Sequence, residues 1–597
     1  MADIFFGGGL NEQDEFNVSL DECTAGQNFR LNSNKRQFRP RAPQDLVGST
    51  ATNGGEITGL MQLIKRDDTQ TQLVVADEQV YSWDLGSTFT AEATVVTDSR
   101  LRGTEWLLDQ ILVITDIDLQ NPLAKWDGTD YLRLKHGIAG TTTVAVNSLT
   151  QTGGTATATA TSHGYATDDL VTISGATPAA YNGQKQITVT GANTFTYSIA
   201  SGTGPTATGT ILSFIDPDIR AKYSVEFNGR MWLFNIQSDG TNTPHMILAS
   251  AFEDAEDYDT ATRARSGGIT SSAAFFMFIN DLKPINGVAL WYDTIVVSTE
   301  NGKLFRLVGQ DALEYDFLEF YPGSSAAGDE SFTLTGNDIH YMKSGGNIES
   351  FRSTERFGDT TADDISRWIP DTVDGLNAAI GVYDQINQMV FWFVSNCVLV
   401  YDKEVAASTE LSPWSVYKTA MTNAFNTKAA SYIRRTDNTW TVMWGDSAGI
   451  IYDMNGVGTF GDAGANDIAV VRTLRRIAEL PTRDENIHGR VEYKRQGGDV
   501  VNLDLDFRWA EDYHDTTCRV PLQPALTSGS PPVFNGTDGS ENAAYFGGGV
   551  YFNQGIIDTA RISTAGYSPV GRSVAFTMTM NITTTVDFQV NKISIDE

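Results

Sequence analysis

The sequence has very little cysteine. Its 597 residues include three cysteines, Cys23, Cys397 and Cys518, which lie far apart and never in a CxxC spacing. A disulfide framework or a cysteine-based zinc site needs a paired or closely spaced set. The sequence therefore predicts neither feature, and we expect no metal ion and no other cofactor.

Long apolar runs are also missing. No window approaches the 18 or so apolar residues that cross a bilayer as a helix, so no membrane span is predicted. The first residues, Met1–Gly9, lack the basic and apolar regions of a signal peptide. We therefore expect synthesis without export through a secretion signal.

Two common catalytic motifs are absent from the sequence. It contains no GxxxxGK[ST] loop and no HExxH. Among the six histidines, His163 is predicted to stabilise a turn. The acid pairs Asp67-Asp68 and Asp363-Asp364 could supply carboxylates for glycoside hydrolysis, but neighbours on a strand point to opposite faces, which favours turn or surface roles. We expect a protein that is not an enzyme.

Positive charge is scarce. The chain has 42 basic against 74 acidic residues, a net charge of −32. Wrapping nucleic acid needs many Lys and Arg to neutralise phosphates, so that function is disfavoured. An acidic surface repels DNA and suits a wall past which DNA slides, although solubility alone also explains the charge.

Helical periodicity is nearly absent, and strand signals dominate. Short runs rich in β-branched residues, such as Gln72–Ala76 and Gln110–Ile114, are bounded by Gly, Asn and Asp. The hairpin Tyr223–Phe227, Asn228-Gly229, Arg230–Phe234 has the dipeptide that a type I′ turn requires. These patterns predict an all-β protein.

A loose repeat lies beneath the strand pattern. Aromatic residues recur near strand ends at spacings of about 40 to 50 residues, which is typical of four-stranded propeller blades. The markers are Trp83, Trp126, Phe305, Phe351, Tyr401 and Tyr452. We predict a β-propeller-like core of about seven units between residues 57 and 470; the alternative is an ordinary multi-sheet β protein with evenly spaced hairpins.

Changes in composition divide the chain. The Thr-, Ala- and Gly-rich segment Thr141–Ser213 has only three charged residues, which predicts an inserted small β-sandwich. The predicted organisation is listed in chain order: an extended N-terminal arm, residues 1–45; the first part of the propeller, 46–140; the insertion, 141–213; the remainder of the propeller, 214–479; and a C-terminal antiparallel β domain, 480–597.

The N-terminal arm holds an unusual cluster of basic residues. The stretch Asn28–Pro43 contains five bases and no acid: Arg30, Lys35, Arg36, Arg39 and Arg41. We predict that they bind an acidic surface of the same or an adjoining subunit, or of an adaptor. Contact with DNA phosphate and a simple solvated strand edge are the alternatives.

Three segments resemble proteins of bacteriophage tails. Asn28–Leu31 with Arg39–Pro43 resembles the lead-in to the first blade in tail proteins of short-tailed phages. Residues Ser162–Tyr165, Asp168–Ala176, Tyr181–Gly183 and Asn193–Tyr197 are similar to an Ig-like module of phage tail proteins. Residues Gly336–Tyr341, Gly345–Phe351 and Asp363–Ser366 resemble a blade of the tail-nozzle (tail tubular) proteins of podophages.

The resemblance implies a function. A tail nozzle is a structural virion protein: a homohexamer below a dodecameric adaptor (the head-to-tail connector), with genomic DNA passing through its lumen during ejection. Its partners would be the adaptor ring and the tail fibres or tail-tip protein, and it would be assembled in the host bacterial cytoplasm. The alternative is a receptor-binding or fibre-docking tail protein whose Ig-like insertion contacts the host surface.

Overall fold

The fold is almost entirely antiparallel β-sheet around a propeller, as predicted. The computed structural model describes residues 8–456 except 14–17, 20, 32–38, 50–54, 135–142, 168, 201, 216–218, 239, 259–271, 322–325, 337, 354–359, 419–424 and 426. For residues 2–4, 39–40 and the strands beyond residue 456, it describes the backbone alone.

Seven four-stranded sheets form the blades, and in six of them the strands follow one another as a meander. Blades one to three comprise Ile57–Ile64, Gln70–Ala76, Gln79–Trp83, Phe89–Thr94; Leu101–Trp106, Ile111–Asp116, Ala124–Trp126, Tyr131–Arg133; and Ile219–Phe227, Arg230–Ser238, Thr241–Ala249, Phe275–Phe278. Blades four to six comprise Ile285–Trp291, Thr294–Thr299, Leu304–Val308, Asp316–Tyr321; Phe332–Leu334, Ile339–Met342, Ile348–Ser353, Thr360–Asp364; and Ile380–Asp384, Met389–Val394, Cys397–Asp402, Trp414–Tyr417.

Blade seven closes the ring with a strand from the other end of the chain. Its own strands are Ala429–Arg434, Trp440–Gly445 and Ile450–Asp453, and Asp45–Ser49 pairs with the last of these. The first strands of neighbouring blades contact one another around the whole circle, including those of blades seven and one. The strand after the N-terminal arm therefore belongs to the last blade, not to the first.

The aromatic repeat marks one position in the blade. All six predicted markers lie in the third strand of a blade, and all are buried. Their rings pack between neighbouring sheets, as Trp126 does in the core between blades one and two. This shared burial explains why the repeat is visible in the sequence.

The predicted hairpin of blade three is present. Asn228 and Gly229 have φ angles of 51° and 67°, and Phe227 pairs directly with Arg230. Positive φ at both central residues defines the expected turn.

The segment between blades two and three forms a separate small sandwich. Its two sheets, in spatial order, are Val144–Ala145, Leu212–Ile215, Leu170–Ser174, Gly183–Gln186; and Ser148–Thr152, Thr155–Thr159, Thr194–Ser198, Thr188–Gly191. Its core, which includes Leu149, Ile173, Tyr181 and Phe195, draws only on residues of the insertion.

The described C-terminal strands form two further sheets. One contains Ala25–Gln27, Ile468–Ala478, Val574–Thr584, Val501–Glu511, Pro524–Ala525, Val533–Phe534 and Val520–Leu522. The other contains Ala2–Ile4, Phe588–Asp596, His488–Arg495, Gly555–Ser563, Tyr545–Phe546 and Val550–Phe552.

Two of the predicted boundaries need correction. Ile468–Ala478 pairs along its whole length with Val574–Thr584, so the C-terminal domain begins no later than residue 468 rather than at 480. The predicted N-terminal arm contributes Ala2–Ile4 and Ala25–Gln27 to the C-terminal sheets, so it is part of that domain's framework.

Three short helices accompany the strands in the described part of the chain: Ala179–Tyr181, Pro370–Val373 and Lys403–Ser408. None of the helices in the described residues is long and apolar enough to cross a membrane.

Candidate functional site

An ionic cluster spans the centre of the propeller. Arg100 Nη2 lies 3.2 Å from Asp329 Oδ2, and Arg102 Nε donates to Glu330 Oε1. Arg100 and Arg102 belong to blade two, whereas Asp329 and Glu330 precede the first strand of blade five. Because these blades are not neighbours in the ring, the contacts must cross its axis. We call Arg100, Arg102, Asp118, Lys222, Asp329 and Glu330 the axial cluster.

The axial cluster reaches further blades. Lys222 Nζ of blade three lies 3.0 Å from Asp329 Oδ1. Arg102 Nη1 donates to the carbonyl of Thr58 in blade one at 2.8 Å, and its Nη2 to the carbonyl of Lys428, just before blade seven, at 2.7 Å. The cluster thus ties together strands that are hundreds of residues apart.

Electrostatics within the cluster favour the ionised forms of Asp118 and Arg100. Burial alone would raise the pKa of Asp118, but its hydrogen bond to Arg100 and the charge of that guanidinium hold the pKa below the ordinary value. The carboxylates raise the pKa of Arg100 in return, against the effect of its burial. Burial, then the charge of Asp329, raises the pKa of Tyr223 well above normal. The cluster places three basic side chains against three acidic ones.

This arrangement ties blades together and closes the axis. Side chains occupy the centre of the ring, so a nucleic acid duplex cannot pass through one propeller. An open depression of about 590 Å³ lies beside the cluster, lined in part by Asp329, Glu330, Phe393 and Lys428.

The axial cluster was not predicted from the sequence, although the sequence contains a signal for it. The first strands of three blades share an apolar-polar-Gly tripeptide: Ile57-Thr58-Gly59, Leu101-Arg102-Gly103 and Ile285-Asn286-Gly287. A Cβ on Gly287 would lie 2.4 Å from Phe332 in the next blade, so close packing requires glycine. The tripeptide marks the strand nearest the axis.

The N-terminal arm seals the outer edge of blade six. The amide of Leu10 donates to the Trp414 carbonyl, and the amide of Asn28 to the Val416 carbonyl, both at 2.8 Å. A Cβ on Gly9 would lie 1.9 Å from the Trp414 oxygen, so only glycine fits there. The exposed edge of a sheet is a template for unwanted pairing, and the arm covers this one.

Two of the five predicted arm bases bind blade six of the same chain. Arg30 Nη2 donates to Asn387 Oδ1 at 2.7 Å. Arg41 is 1% exposed; its Nε donates to Asn28 Oδ1 at 3.0 Å, its Nη2 to the Lys418 carbonyl at 3.2 Å, and it lies 5.9 Å from the Tyr417 ring centroid. The predicted intersubunit role is therefore wrong for Arg41, which is buried within its own subunit.

The structure does not describe the side chains of the other three arm bases. Lys35 and Arg36 lie outside the described residues, and for Arg39 only the backbone is described, paired with Arg30. A role for these three in contacts between subunits stays a prediction.

Two residues considered for catalysis, His163 and Asp67, stabilise turns instead. The amide of Tyr165 donates to His163 Nδ1 at 3.0 Å, so the proton is on Nε2, which donates to the Gly191 carbonyl at 3.1 Å. This is a turn-stabilising role. The carboxylate of Asp67 likewise accepts from the amide of Thr69 within a turn.

One buried group resembles a catalytic triad in composition only. The Ser350 hydroxyl donates to Asp338 Oδ2 at 2.6 Å, and His340 Nε2 lies 3.2 Å from the same oxygen. A nucleophilic serine must bond to the histidine, and here it bonds to the acid. Among the described residues, no group of three or more His, Cys, Asp or Glu is arranged to hold a metal ion.

No protein-family model and no curated protein matches the sequence. Virginiamycin B lyase from Staphylococcus aureus is similar at 9% identity and a TM-score of 0.36, over 69% of this chain and 98% of that one. The N-terminal domain of Nup159 has 8% identity and a TM-score of 0.35, over 74% and 97%.

The β-propeller domain of Cps50 (Swd1) from Myceliophteria thermophila has 11% identity and a TM-score of 0.29, over 67% of this chain and 98% of that one. Likenesses this distant say nothing about activity. The strand order and the closed circle of first strands define the chain as a β-propeller protein.

Proposed function

We propose that the chain is a structural protein of a bacteriophage tail, a nozzle whose copies surround a channel for genomic DNA. The observation that carries the proposal is a small β-sandwich inserted between two blades of a closed propeller, in a segment whose sequence resembles an Ig-like module of phage tail proteins. The nozzle-like segments between Gly336 and Ser366 fall within or beside blade five, where Tyr341 and Phe351 are core residues.

Two physical features support a channel formed by several copies. The axial cluster blocks the centre of a single propeller, so a channel must lie between subunits. The net charge of −32 disfavours adhesion of DNA to the walls of such a channel. The mechanism is mechanical: the subunits hold DNA in the virion and let it slide out without binding it specifically.

Ring symmetry tests this proposal directly. Electron microscopy of the purified full-length chain, alone and with the adaptor ring, should show closed rings of six copies around an open lumen. Trimers would favour a fibre or spike protein, and a chain that stays monomeric under both conditions would contradict the nozzle.

A second candidate function is attachment to a receptor or a fibre through the insertion. One sheet of the sandwich presents Thr150, Thr157, Thr196 and Thr188 side by side across four strands, on a face without charge. Virions that lack the insertion should then adsorb poorly to host cells while still retaining DNA. Normal adsorption would remove this alternative.

The nozzle proposal includes the absence of catalysis. Purified protein should release no fragments from host capsule or peptidoglycan above a heat-inactivated control. Release that follows the concentration of folded protein would make the chain an enzyme.

A further inference from the structure

A polar cleft lies at one end of blade one, between turns of its two neighbours in the ring. In a four-stranded meander, the first and third turns lie at the same end of the sheet, and the cleft is at this end. Its volume of about 570 Å³ lies within the range of about 300–1,000 Å³ that is usual for small-ligand sites. Blade two contributes Thr129 from its third turn, and blade seven contributes Thr436 from its first. We call this space the blade-one cleft.

Two tryptophans in the wall of the cleft are held in fixed positions. Trp83 Nε1 donates to the Gly86 carbonyl at 2.8 Å, and Trp126 Nε1 donates to Thr71 Oγ1 at 3.0 Å. Both rings are buried in the cores on either side of blade one. A wall that is already ordered binds a ligand without the entropic cost of ordering it.

One buried amide in the wall lacks a partner. Gln72 lines the cleft and is only 3% exposed, and its Nε2 has no hydrogen-bond partner among the described residues. Gln70, two residues earlier, differs: its Nε2 donates to the Arg435 carbonyl at 3.2 Å, and its Oε1 accepts from Arg434 Nε at 3.0 Å. A buried polar group without a partner is destabilising, and a ligand in the cleft could supply the acceptor that Gln72 lacks.

The charge around the cleft disfavours an anionic ligand. The carboxylates of Asp84 and Glu92 line it, and no Lys or Arg is among the described residues that do so. Lys65 lies at the rim, where its Nζ would be 2.9 Å from a Cβ on Gly128. A phosphate or a carboxylate would therefore meet more negative than positive charge.

The remaining polar groups of the wall both donate and accept hydrogen bonds. Glu92 Oε1 accepts from the Ser82 hydroxyl at 2.6 Å. Hydroxyl groups, which can serve as donor or acceptor, also line the cleft at Thr71, Thr88, Thr90, Thr129 and Thr436. Such a wall suits a neutral ligand that carries several hydroxyl groups on an apolar frame.

We propose that the blade-one cleft binds a short neutral saccharide. Gln72 would donate to an oxygen of the sugar, Glu92 would accept from a sugar hydroxyl, and the tryptophans would face its C–H groups. The inference goes beyond the proposed function and does not depend on it, because a single propeller contains the whole cleft.

Binding of the full chain to an array of defined neutral and acidic glycans tests the inference. The neutral glycan with the strongest signal is then titrated in solution by calorimetry. Wild type should bind neutral glycans in preference to acidic ones, and the bound glycan should raise its melting temperature.

Two variants and a matched control locate the site. Gln72→Leu removes the amide and nearly keeps the side-chain volume, whereas Thr90→Tyr adds a large side chain at an exposed position of the wall. The control, Gln79→Leu, makes the same change at the opposite end of blade one, where Gln79 Nε2 donates to Thr94 Oγ1 at 2.9 Å.

Gln72→Leu should raise the dissociation constant about tenfold, because a hydrogen bond to the glycan is lost. Without glycan, this variant should melt at or above the wild-type temperature, since the amide it removes had no partner. Thr90→Tyr should weaken binding by about tenfold or more because it fills the cleft. The control should bind like wild type.

The inference is overturned if wild type binds no neutral glycan or binds acidic glycans alone. Binding that survives both cleft variants would also overturn it. If Gln72→Leu melts well below wild type, Thr90→Tyr decides: lost binding at an unchanged melting temperature supports the site, and retained binding rejects it. None of these results bears on ring symmetry, so the nozzle proposal is tested separately.

Discussion

The inserted sandwich and the propeller that carries it both consist of antiparallel strands, but they differ in how far apart their contacts lie in sequence. The core of the insertion uses only residues between Val146 and Ile211. The core between blades one and seven packs Ile57 and Leu60 against Ile433 and Met443. The axial cluster joins Arg100 to Asp329. A ring depends on its closing contacts, whereas a local module depends only on itself.

Removing the closing strand should have the largest effect. Deletion of residues 1–49 leaves blade seven with three strands and uncovers the edge of blade six. We expect the cooperative thermal transition, followed by circular dichroism, to be lost and the protein to become sensitive to protease. A transition retained within a few degrees would show that the ring does not depend on closure.

The axial cluster should matter more than a comparable ion pair on the surface. Glu330→Gln leaves Arg102 and Arg100 short of a carboxylate at a site only 13% exposed, and should cost about 2–3 kcal/mol of unfolding free energy. In the matched control, Glu319→Gln breaks the Lys303–Glu319 pair, which is more than a third exposed, and should cost under about 0.5 kcal/mol. Urea denaturation measures both, and equal costs would contradict the structural importance of the cluster.

A buried acid in blade six should make stability depend on pH. Burial raises the pKa of Asp402 to about 6, although the amides of Val405 and Glu404 donate to it. The pKa of an aspartate carboxyl in the unfolded chain is about 3.9, so the folded chain binds this proton more tightly. Ionisation therefore costs no stability below about pH 4, and the full cost is present above about pH 6.

The substitution Asp402→Asn removes that ionisation and keeps a side-chain acceptor at the start of the helix Lys403–Ser408. The free energy of unfolding of the variant, relative to wild type, should rise by roughly 2 kcal/mol between pH 4 and pH 7. Asp437→Asn is the control with the opposite sign, because hydrogen bonds from Thr439 lower the pKa of Asp437. If the difference in unfolding free energy between the Asp402→Asn variant and wild type does not vary with pH, the pKa of Asp402 is not raised.

Deleting the insertion should have the smallest effect. Replacement of residues 141–215 by a short Gly/Ser bridge removes a module with its own core. The melting temperature of the remainder should stay within about 4 °C. An aggregated product would show that the propeller needs the insertion. The insertion would then not be a module that is independent of the rest of the chain.

The difference between local and distant contacts explains which features could be predicted from the sequence. Trp83, Trp126 and Tyr452 were visible because each buries an aromatic ring at one position of a repeated unit. The change in composition at Thr141 revealed the insertion because a self-contained module has its own surface and core. Local patterns of this kind can be read from one sequence.

The contacts that close the propeller ring could not be predicted from local sequence patterns. No pattern in Asp45–Ser49 identifies Ile450–Asp453 as its partner, and nothing near Arg100 points to Asp329. Ile468–Ala478 was assigned to the propeller because its partner, Val574–Thr584, lies about a hundred residues further on. Arg41 was expected at an interface because its basic neighbours were visible, while its position beside Tyr417 was not.

The closing strand of blade seven also sets the order of events at the ribosome. Residues 45–49 are made first, but their partner, Ile450–Asp453, emerges about 400 residues later. At synthesis rates of up to about 20 residues per second, the early strand waits for at least about 20 s without its partner. During that time blade one lacks its neighbour, and its apolar surface is open to chaperones or to other nascent chains.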